Sequence, residues 1–215
     1  MTKRELDWNR IILAFLIANL LFFIGIGIGY FVREIMEKTT ITFQQQISNE
    51  YVSLETLSML EKDFPCSSFS LDKSSEKLDY IGSLIDSLEI KKGVNDKGVL
   101  EIKKFYTILE ARHYVLIKER NLKCNENFST IIYLYSNKKE CKLEVDKISF
   151  ILSYLIKQYP NLKVYSFDLN LDSEIINFFK SKYKIKNECY SVILNDKIIK
   201  NNIQNADDLI NFLKN

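Results

Sequence analysis

Four cysteines are the residues of this chain with the most evident chemistry: Cys66, Cys124, Cys141 and Cys189. An even number of cysteines permits two disulfides in an oxidising compartment, and their spacing leaves three connectivities open. No Cys-x-x-Cys pair occurs, and the only histidine is His113. Zinc sites of the usual type need Cys and His ligands in close groups. The sequence therefore points to thiol or disulfide chemistry and predicts neither a metal site nor a cofactor.

Other reaction and binding classes find little support in the residue pattern. The sequence lacks a Gly-x-Ser-x-Gly elbow for nucleophilic hydrolysis. Its clustered glycines, Gly25, Gly27 and Gly29, lie inside an apolar run and not in a phosphate-binding loop. The 30 basic and 28 acidic residues give a net charge of +2, and no Lys/Arg cluster is interleaved with aromatics. We expect no nucleic-acid partner.

All four cysteines follow an apolar segment that determines where they can act. It covers Ile11–Val32, in which Asn19 is the only strongly polar side chain. As a helix it would be about 33 Å long, enough to cross a hydrocarbon core of ~30 Å. Charged residues stop at its borders, with Arg10 before it and Arg33 after it. A cleaved signal peptide has a shorter apolar region of roughly 7–15 residues, so we predict an uncleaved anchor at 11–32 after a tail of residues 1–10.

Basic residues near the anchor predict its orientation, because Lys and Arg resist translocation. They are denser on the N-terminal flank than on the other flank: Lys3, Arg4 and Arg10 against Arg33, Lys38 and Lys62. This small bias in density favours a cytoplasmic N-terminus and places everything after Val32 outside the cytoplasm. We therefore expect a single-pass membrane protein whose cysteines face an oxidising space.

Small residues along the anchor suggest a contact between membrane helices. Ala14, Ala18, Gly25 and Gly29 fall on one helical face, and Asn19 adds a polar group for an interhelical hydrogen bond. The alternative is that Gly and Ala are simply common in membrane helices. From this segment we expect contact with the lipid bilayer and self-association through the small-residue face.

Residues 33–64 are predicted to form a juxtamembrane helix that continues from the anchor. Their apolar side chains repeat at helical spacing: Met36, Phe43, Ile47, Tyr51, Leu54 and Leu57. This face packs either on the distal domain or, as in a coiled coil, on a second copy of the chain. Phe64-Pro65-Cys66 is typical of a break after the helix.

Residues 71–121 are predicted to form a helical segment of two helices. Asp72 or Ser74 is the expected N-cap of the first helix. The turn formers of Gly93–Gly98 separate it from the second helix. His113 lies on the second helix, and we expect it at the surface or margin in a structural role.

From Asn127 onward, strands alternate with helices. Runs of β-branched and aromatic residues predict the strands, and apolar residues at helical steps predict the helices. The predicted order is strand Ser129–Tyr135, helix Lys142–Tyr159, strand Leu162–Asp168, helix Ser173–Tyr183, strands Tyr190–Leu194 and Lys197–Lys200 around an Asn195-Asp196 turn, and helix Ala206–Leu213. This β-α-β-α-β-β-α order requires a partly parallel sheet covered by helices, so we predict an α/β domain over residues 128–215.

That order, with its short final hairpin and last helix, resembles the thioredoxin fold over roughly Phe128–Leu213. Ile132–Lys142 (IYLYSNKKECK) resembles the strand, loop and helix start that carry the family's redox pair. Cys141-Lys142 matches the end of its Cys-Gly-Pro-Cys-Lys motif. Tyr183–Asp196 resembles the stretch from the family's cis-proline to its Asn-Gly turn. The expected fold class is therefore α/β, with a thioredoxin-like βαβαββα domain preceded by a transmembrane helix and a helical segment.

The chain departs from the family's motif at its reactive positions. The first cysteine position is Lys138, the preceding tryptophan is Asn137, and the buried acidic residue is Ile132. The cis-proline position falls nearest Cys189. The helices of residues 71–121 replace the strand and helix that precede the family's core. A standard dithiol exchange within one Cys-x-x-Cys motif does not carry over to this chain.

The resemblance implies instead that Cys141 and Cys189 are neighbours, because the loops that carry them lie side by side in the thioredoxin fold. Cys141 would then sit at a helix N-terminus beside Lys138 and Lys139, surroundings that lower the pKa of a thiol. The pair is a candidate redox couple that exchanges with partner proteins through a mixed disulfide. A permanent bridge and two buried thiols are the alternatives.

Two classes of function follow from this resemblance. One is a membrane-anchored thioredoxin-like protein that exchanges thiols and disulfides outside the cytoplasm through Cys141 and Cys189. The other is a non-catalytic, membrane-tethered binding or scaffold protein with a degenerate thioredoxin fold. In both classes the resemblance leaves Cys66 and Cys124 as a second bridge, with Cys124 at the opposite end of the sheet from Cys141.

Overall fold

The computed structural model describes residues 8–60, 66, 68–186, 188–199 and 203–213. The chain divides into two compact units, Met1–Gln46 and Ile47–Asn215. The first helix, α1 (Trp8–Leu60), begins in the first unit and ends in the second.

The N-terminal part of α1 has the length and composition of a membrane span. Its stretch Trp8–Glu34 has 27 residues and a mean hydropathy of 2.8, and its apolar window is not buried. An α-helix satisfies its backbone hydrogen bonds internally, as a lipid environment requires. The prediction of an N-terminal apolar helix long enough to span a membrane is confirmed, and the predicted anchor at 11–32 lies inside it.

Within the second unit, the last turns of α1 contact the next two helices, α2 (Ser68–Lys92) and α3 (Lys97–Lys123). Arg112 on α3 donates a hydrogen bond to Glu55 at 2.9 Å, and Lys77 on α2 donates to the Ser53 hydroxyl at 3.3 Å. Helix α1 ends at Leu60. Residues 61–65 and the side chains of the predicted apolar face lie outside the described part of the chain: Met36, Phe43, Ile47, Tyr51, Leu54 and Leu57.

Helix α2 begins earlier than the sequence predicted. Neither Asp72 nor Ser74 is its N-cap, because α2 already starts at Ser68, just after the turn at Cys66. The Ser74 hydroxyl instead donates to the Leu71 carbonyl within the helix. A disulfide joins the turn at Cys66 to Cys124 at the end of α3.

A tight turn separates α2 from α3 where the sequence predicted it. Gly93 has a φ of 92°, a left-handed conformation that side chains disfavour. Asp96 caps α3 by accepting a hydrogen bond from the Val99 N–H at 3.1 Å. The two long helices therefore form a hairpin that packs along the sheet.

Four strands form one mixed sheet in the order β2-β1-β3-β4. They are β1 (Ser129–Tyr135), β2 (Leu162–Asp168), β3 (Tyr190–Leu194) and β4 (Lys197–Ile199). Strand β1 pairs in parallel with β2 and antiparallel with β3. The remaining helices follow β1, β2 and β4 and are α4 (Lys142–Gln158), α5 (Glu174–Lys182) and α6 (Ala206–Leu213). The order of strands and helices predicted for this region is confirmed, with Lys200 outside the described residues.

Helices cover both faces of the sheet. Ile131 and Tyr133 of β1 join the core cluster that contains residues of α4 and α6. The alternate residues Ile132 and Leu134 join the cluster that contains residues of α3 and α5. This alternation follows from the two-residue period of a strand. A sheet with parallel strands needs both faces covered. Because helices occupy both faces here, side chains of different elements converge at the ends of the strands.

Helix α3 also covers the outer edge of β2. Glu110 accepts a hydrogen bond from the Ser166 N–H at 2.8 Å, and the His113 ring contacts the Tyr165 hydroxyl at 2.8 Å. The prediction that His113 lies at the surface or margin was wrong, because its residue is only 5% exposed. Its other ring nitrogen lies 3.1 Å from the Ser75 hydroxyl. The ring is buried because α3 packs against a sheet edge with α2 on its far side.

The predicted hairpin turn joins β3 to β4. Asn195 and Asp196 have φ angles of 47° and 65°, a conformation that Asn and Asp tolerate better than most residues. Four donors converge on the Asp196 carboxylate: Tyr114, Lys118, Lys182 and Tyr183. These contacts tie the turn to the helical layer formed by α3 and α5.

Candidate functional site

The carboxyl end of β1 lies beside the cysteine pair that the sequence singled out. Cys141 and Cys189 form a disulfide with Cα atoms 5.0 Å apart, although 48 positions separate them in the chain. Cys141 ends a short 3₁₀ turn, Lys139–Cys141, and is the N-cap residue of α4. Cys189 directly precedes β3. Because β1 and β3 are neighbours in the sheet, the segments at their ends bring the two cysteines together.

The two cysteines differ in exposure. Cys141 is only 4% exposed, whereas Cys189 is partly exposed. In thiol–disulfide exchange an incoming thiolate attacks one sulfur and expels the other as a thiolate. The geometry favours attack at Cys189 and departure of Cys141. A departing Cys141 thiolate would lie at the amino end of the 17-residue helix α4, where the helix dipole stabilises negative charge.

A buried ion pair lies beside the same end of the sheet. Asp168, the last residue of β2, accepts a hydrogen bond at Oδ2 from Lys103 Nζ at 2.6 Å. The side chains of Lys103 and Asp168 are 6% and 4% exposed. Lys103 also donates to Glu89 at 2.8 Å. Burial by itself lowers the pKa of Lys103, but the oxygens of Tyr135, Asp168 and Glu89 outweigh burial and raise it. Lys103 is therefore a charged ammonium group in a buried site.

A second carboxyl group is buried behind this ion pair. Burial raises the pKa of Glu110 well above its ordinary value, although the hydrogen bond from the Ser166 N–H acts in the opposite direction. Among the described residues, Glu110 Oε2 is the buried side-chain oxygen without a hydrogen-bond partner. A neutral carboxylic acid is the form that this surrounding favours, because an isolated buried carboxylate is strongly destabilised.

A cavity of about 210 Å³ adjoins the ion pair. It is enclosed by α2, α3 and the ends of β1 and β2, and its polar lining includes Asp86, Glu89, Lys103, Tyr106, Tyr135 and Asp168. In the described residues, no group of three or more His, Cys, Asp or Glu side chains is arranged to hold a metal ion. The cavity is thus a polar recess beside the disulfide end of the sheet.

Sequence reasoning did not identify Lys103 or Asp168. For Asp168 a signal was present, because it ends a predicted parallel strand, and the carboxyl ends of such strands are where α/β sheets bind ligands. Lys103 offered no signal, since it follows Ile102 in a helix whose buried face can be recognised only once its partners are known.

The second disulfide lies toward the other end of β1. Cys66 and Cys124 are bonded with Cα atoms 5.5 Å apart and 58 positions of separation. Cys66 is exposed in the turn before α2, and Cys124 is the C-cap residue of α3. Cys124 precedes the start of β1 and Cys141 follows its end, as expected. The structure therefore contains two disulfides, Cys66–Cys124 and Cys141–Cys189.

Comparisons of this chain with protein-family models, with curated proteins and with solved structures found no match. The site is therefore interpreted from its own geometry.

Proposed function

We propose that this chain is a membrane-anchored, thioredoxin-like protein whose Cys141–Cys189 disulfide exchanges with thiols of partner proteins outside the cytoplasm. The observation that carries the proposal is the position of this disulfide, between the N-cap of α4 and the residue before β3. The sheet order β2-β1-β3-β4, with α4 leading from β1 to β2, supports the thioredoxin-like interpretation. In that fold this end of the sheet carries the redox pair.

Exchange proceeds by two displacements. A partner thiolate attacks the Cys189 sulfur, the bond to Cys141 breaks, and its electron pair leaves on the Cys141 sulfur. A second thiolate of the partner then attacks the partner's own sulfur in the mixed disulfide and releases Cys189. The partner dithiol is oxidised to a disulfide, and Cys141 and Cys189 become thiols by taking up the two protons that the partner lost. The reverse sequence restores the disulfide.

The membrane part of the proposal is supported by the apolar stretch Trp8–Glu34. Two disulfides in one small protein are typical of oxidising compartments, which supports an extracytoplasmic second unit and a cytoplasmic N-terminus. Self-association through the face of Ala14, Ala18, Gly25 and Gly29 belongs to the same proposal. A Cβ at Gly25 or Gly29 would meet nothing within 4 Å, so this face is open to a second helix.

The first test counts thiols, cysteine by cysteine, by maleimide mass shift on acid-quenched membranes. We expect Cys141 and Cys189 to be protected together and released together by mild reductant, at a potential above about −250 mV. If all four cysteines were labelled without reductant, both disulfides and the exchange reaction would be excluded.

A trapping experiment tests the direction of attack. In a Cys141→Ser variant the remaining thiol is the partly exposed Cys189. Its thiolate should attack an excess of an intermolecular peptide disulfide and release one peptide thiolate, so that the mixed disulfide accumulates. The matched Cys189→Ser variant leaves the buried Cys141 and should trap far less peptide. Equal trapping by the two variants would contradict attack at Cys189.

A non-catalytic scaffold is the second candidate, and an apolar groove favours it. The groove has a volume of about 330 Å³ between α3 and α5, and its lining includes Val115, Ile175 and Phe178. Phe178 and Val115 are exposed there, and exposed apolar surface is a common mark of protein contact. A complex that survives replacement of both Cys141 and Cys189 by serine would favour this function over exchange.

A further inference from the structure

We infer that Asn137, Asp168 and Asn170 are positioning residues for the Cys141–Cys189 pair. They hold the loop after β1 so that the two thiols of the reduced pair stay within bonding reach of each other. The inference rests on the proposed exchange, because it concerns the same pair of sulfurs. It identifies hydrogen bonds that contribute to the stability of the Cys141–Cys189 bond.

The first link is the Asp168 carboxylate, which bridges two loops. Its Oδ2 accepts a hydrogen bond from the Asn137 side-chain amide at 2.6 Å. Its Oδ1 accepts one from the Asn170 backbone N–H at 2.9 Å. Asn137 belongs to the loop that leads from β1 to Cys141, and Asn170 belongs to the loop after β2. One buried carboxylate thus holds the two loops together.

The second link runs from Asn170 to Cys189. Asn170 Oδ1 accepts hydrogen bonds from the Asn137 backbone N–H and from the Ser136 hydroxyl, both at 2.9 Å. The Ser136 backbone N–H donates to the Cys189 carbonyl at 2.9 Å. A continuous series of hydrogen bonds therefore joins Asp168 to the backbone of one cysteine and to the loop that carries the other.

The network is anchored in the helical layer. Lys103 donates to the same Asp168 oxygen that accepts from Asn137, and it also donates to Glu89 on α2. Because Lys103 and Asp168 are both buried, rotating the carboxylate away would leave an unpaired buried charge, which is strongly unfavourable. The loop after β1 is consequently fixed to a rigid part of the fold.

The network and the disulfide must stabilise each other, because coupling between two interactions is reciprocal. Reduction by glutathione consumes two glutathione thiols, breaks the Cys141–Cys189 bond and yields two protein thiols and glutathione disulfide. If the loop is free, the two thiols separate and their effective concentration falls. Loss of the network should then make the bond easier to reduce.

The test uses the full chain in detergent, equilibrated in glutathione buffers of known ratio, acid-quenched and analysed by mass for each cysteine pair. In Asn137→Ala we expect an effective concentration of the Cys141 and Cys189 thiols about tenfold lower, equivalent to a potential ~30 mV less negative. The Cys66–Cys124 pair in the same molecules is the internal control and should not change. Asn161→Ala is a matched control, because Asn161 lies at the other end of β2 and accepts from Ser129 through its backbone oxygen.

A second variant keeps the proposal falsifiable. Asn137→Asp places a carboxylate against Asp168, so at neutral pH it should shift the potential further than Asn137→Ala. Unchanged potentials in both variants would overturn the inference, and so would parallel shifts of both disulfides together with a lower unfolding midpoint. The chain could also show a shifted potential for Cys141–Cys189 alone and still fail to oxidise a partner dithiol. That result would support the positioning network and exclude the proposed exchange function.

Discussion

The two ends of β1 each have a disulfide and a charged cluster nearby, and they differ in burial. At the carboxyl end, Cys141–Cys189 lies beside the Lys103–Asp168 pair, whose side chains are 6% and 4% exposed. At the amino end, Asp196 is the centre of the cluster, and its side chain is 36% exposed. The covalent links are alike, since the disulfides span 48 and 58 positions. The Lys103–Asp168 pair and the Asp196 cluster therefore differ in burial and not in covalent connectivity, although the amino end also holds the buried Arg120 in its ion pair with Glu126.

This difference in burial indicates which end of the sheet is suited to thiol chemistry. Charges that water can reach contribute little and are easily lost, whereas charges without water must be paired and held in fixed positions. The buried Lys103–Asp168 pair occurs at the end of the sheet where the N-terminus of α4 meets Cys141. The exposed cluster at the amino end stabilises a turn instead.

The largest expected effect tests whether the two covalent links are equivalent. Replacing both cysteines of either pair by alanine should lower the free energy of unfolding by about 4 kcal/mol, because chain-entropy loss depends only weakly on loop length. Denaturant unfolding of the two double variants in the same detergent measures this. If the loss of unfolding free energy for one pair were less than half the loss for the other, the two disulfides would not be equivalent.

The next effect should separate the two ends. Lys103→Met leaves the buried Asp168 without its cation and should lower the free energy of unfolding by about 3 kcal/mol. Lys118→Met removes a cation from the exposed Asp196 and should cost less than about 1 kcal/mol. Adding Asp168→Asn to Lys103→Met should restore part of the loss. Similar losses in the two methionine variants would contradict the contrast in burial.

The sequence predicted local structure more completely than it predicted this contrast. Strand β1 and the Asn195-Asp196 turn were found because their signals lie within a few adjacent residues. Lys103 was missed because its partner Asp168 lies 65 positions away, and its burial exists only after α3 packs on the sheet. His113 was placed at the surface for the same reason. Local periodicity identifies which face of a helix is apolar, but it does not identify a polar residue that a distant element covers.

Burial should decide how far folding shifts the pKa of a titratable group, whichever end of β1 the group lies near. His113 on α3 tests this expectation. Burial, assisted by the charge of Lys163, lowers the pKa of His113 from its ordinary value of 6.5 to about 4. The unfolded chain therefore binds the proton more tightly than the folded chain does. The stability associated with a neutral His113 is present above pH 6.5 and is lost as the pH falls toward 4, by up to about 3 kcal/mol.

The measurement is the free energy of unfolding from pH 7 to pH 4 for the native chain and for His113→Gln. The glutamine side chain does not titrate, so the difference between the two curves isolates the imidazole from carboxylates that titrate in the same range. Parallel curves would mean that His113 is accessible to protons in the folded chain.

The smallest effect belongs to the exposed cluster. Burial raises the pKa of Asp196, but hydrogen bonds from Lys118, Tyr183 and Tyr114 outweigh burial and hold the pKa well below its ordinary value of 3.8. The folded carboxylate therefore contributes stability above pH 3.8, and this contribution is lost as the pH falls further.

Asp196→Asn keeps a residue that tolerates positive φ, removes the charge and leaves one acceptor oxygen for the converging donors. It should lower the free energy of unfolding by about 1 kcal/mol at neutral pH, and added salt should reduce the difference because the site is open to water. The same salt series should change the effect of Lys103→Met much less, since salt does not enter the buried pair. If salt altered both variants equally, the two charged clusters would share one electrostatic environment, and the burial of Lys103 and Asp168 would not distinguish the carboxyl end of β1.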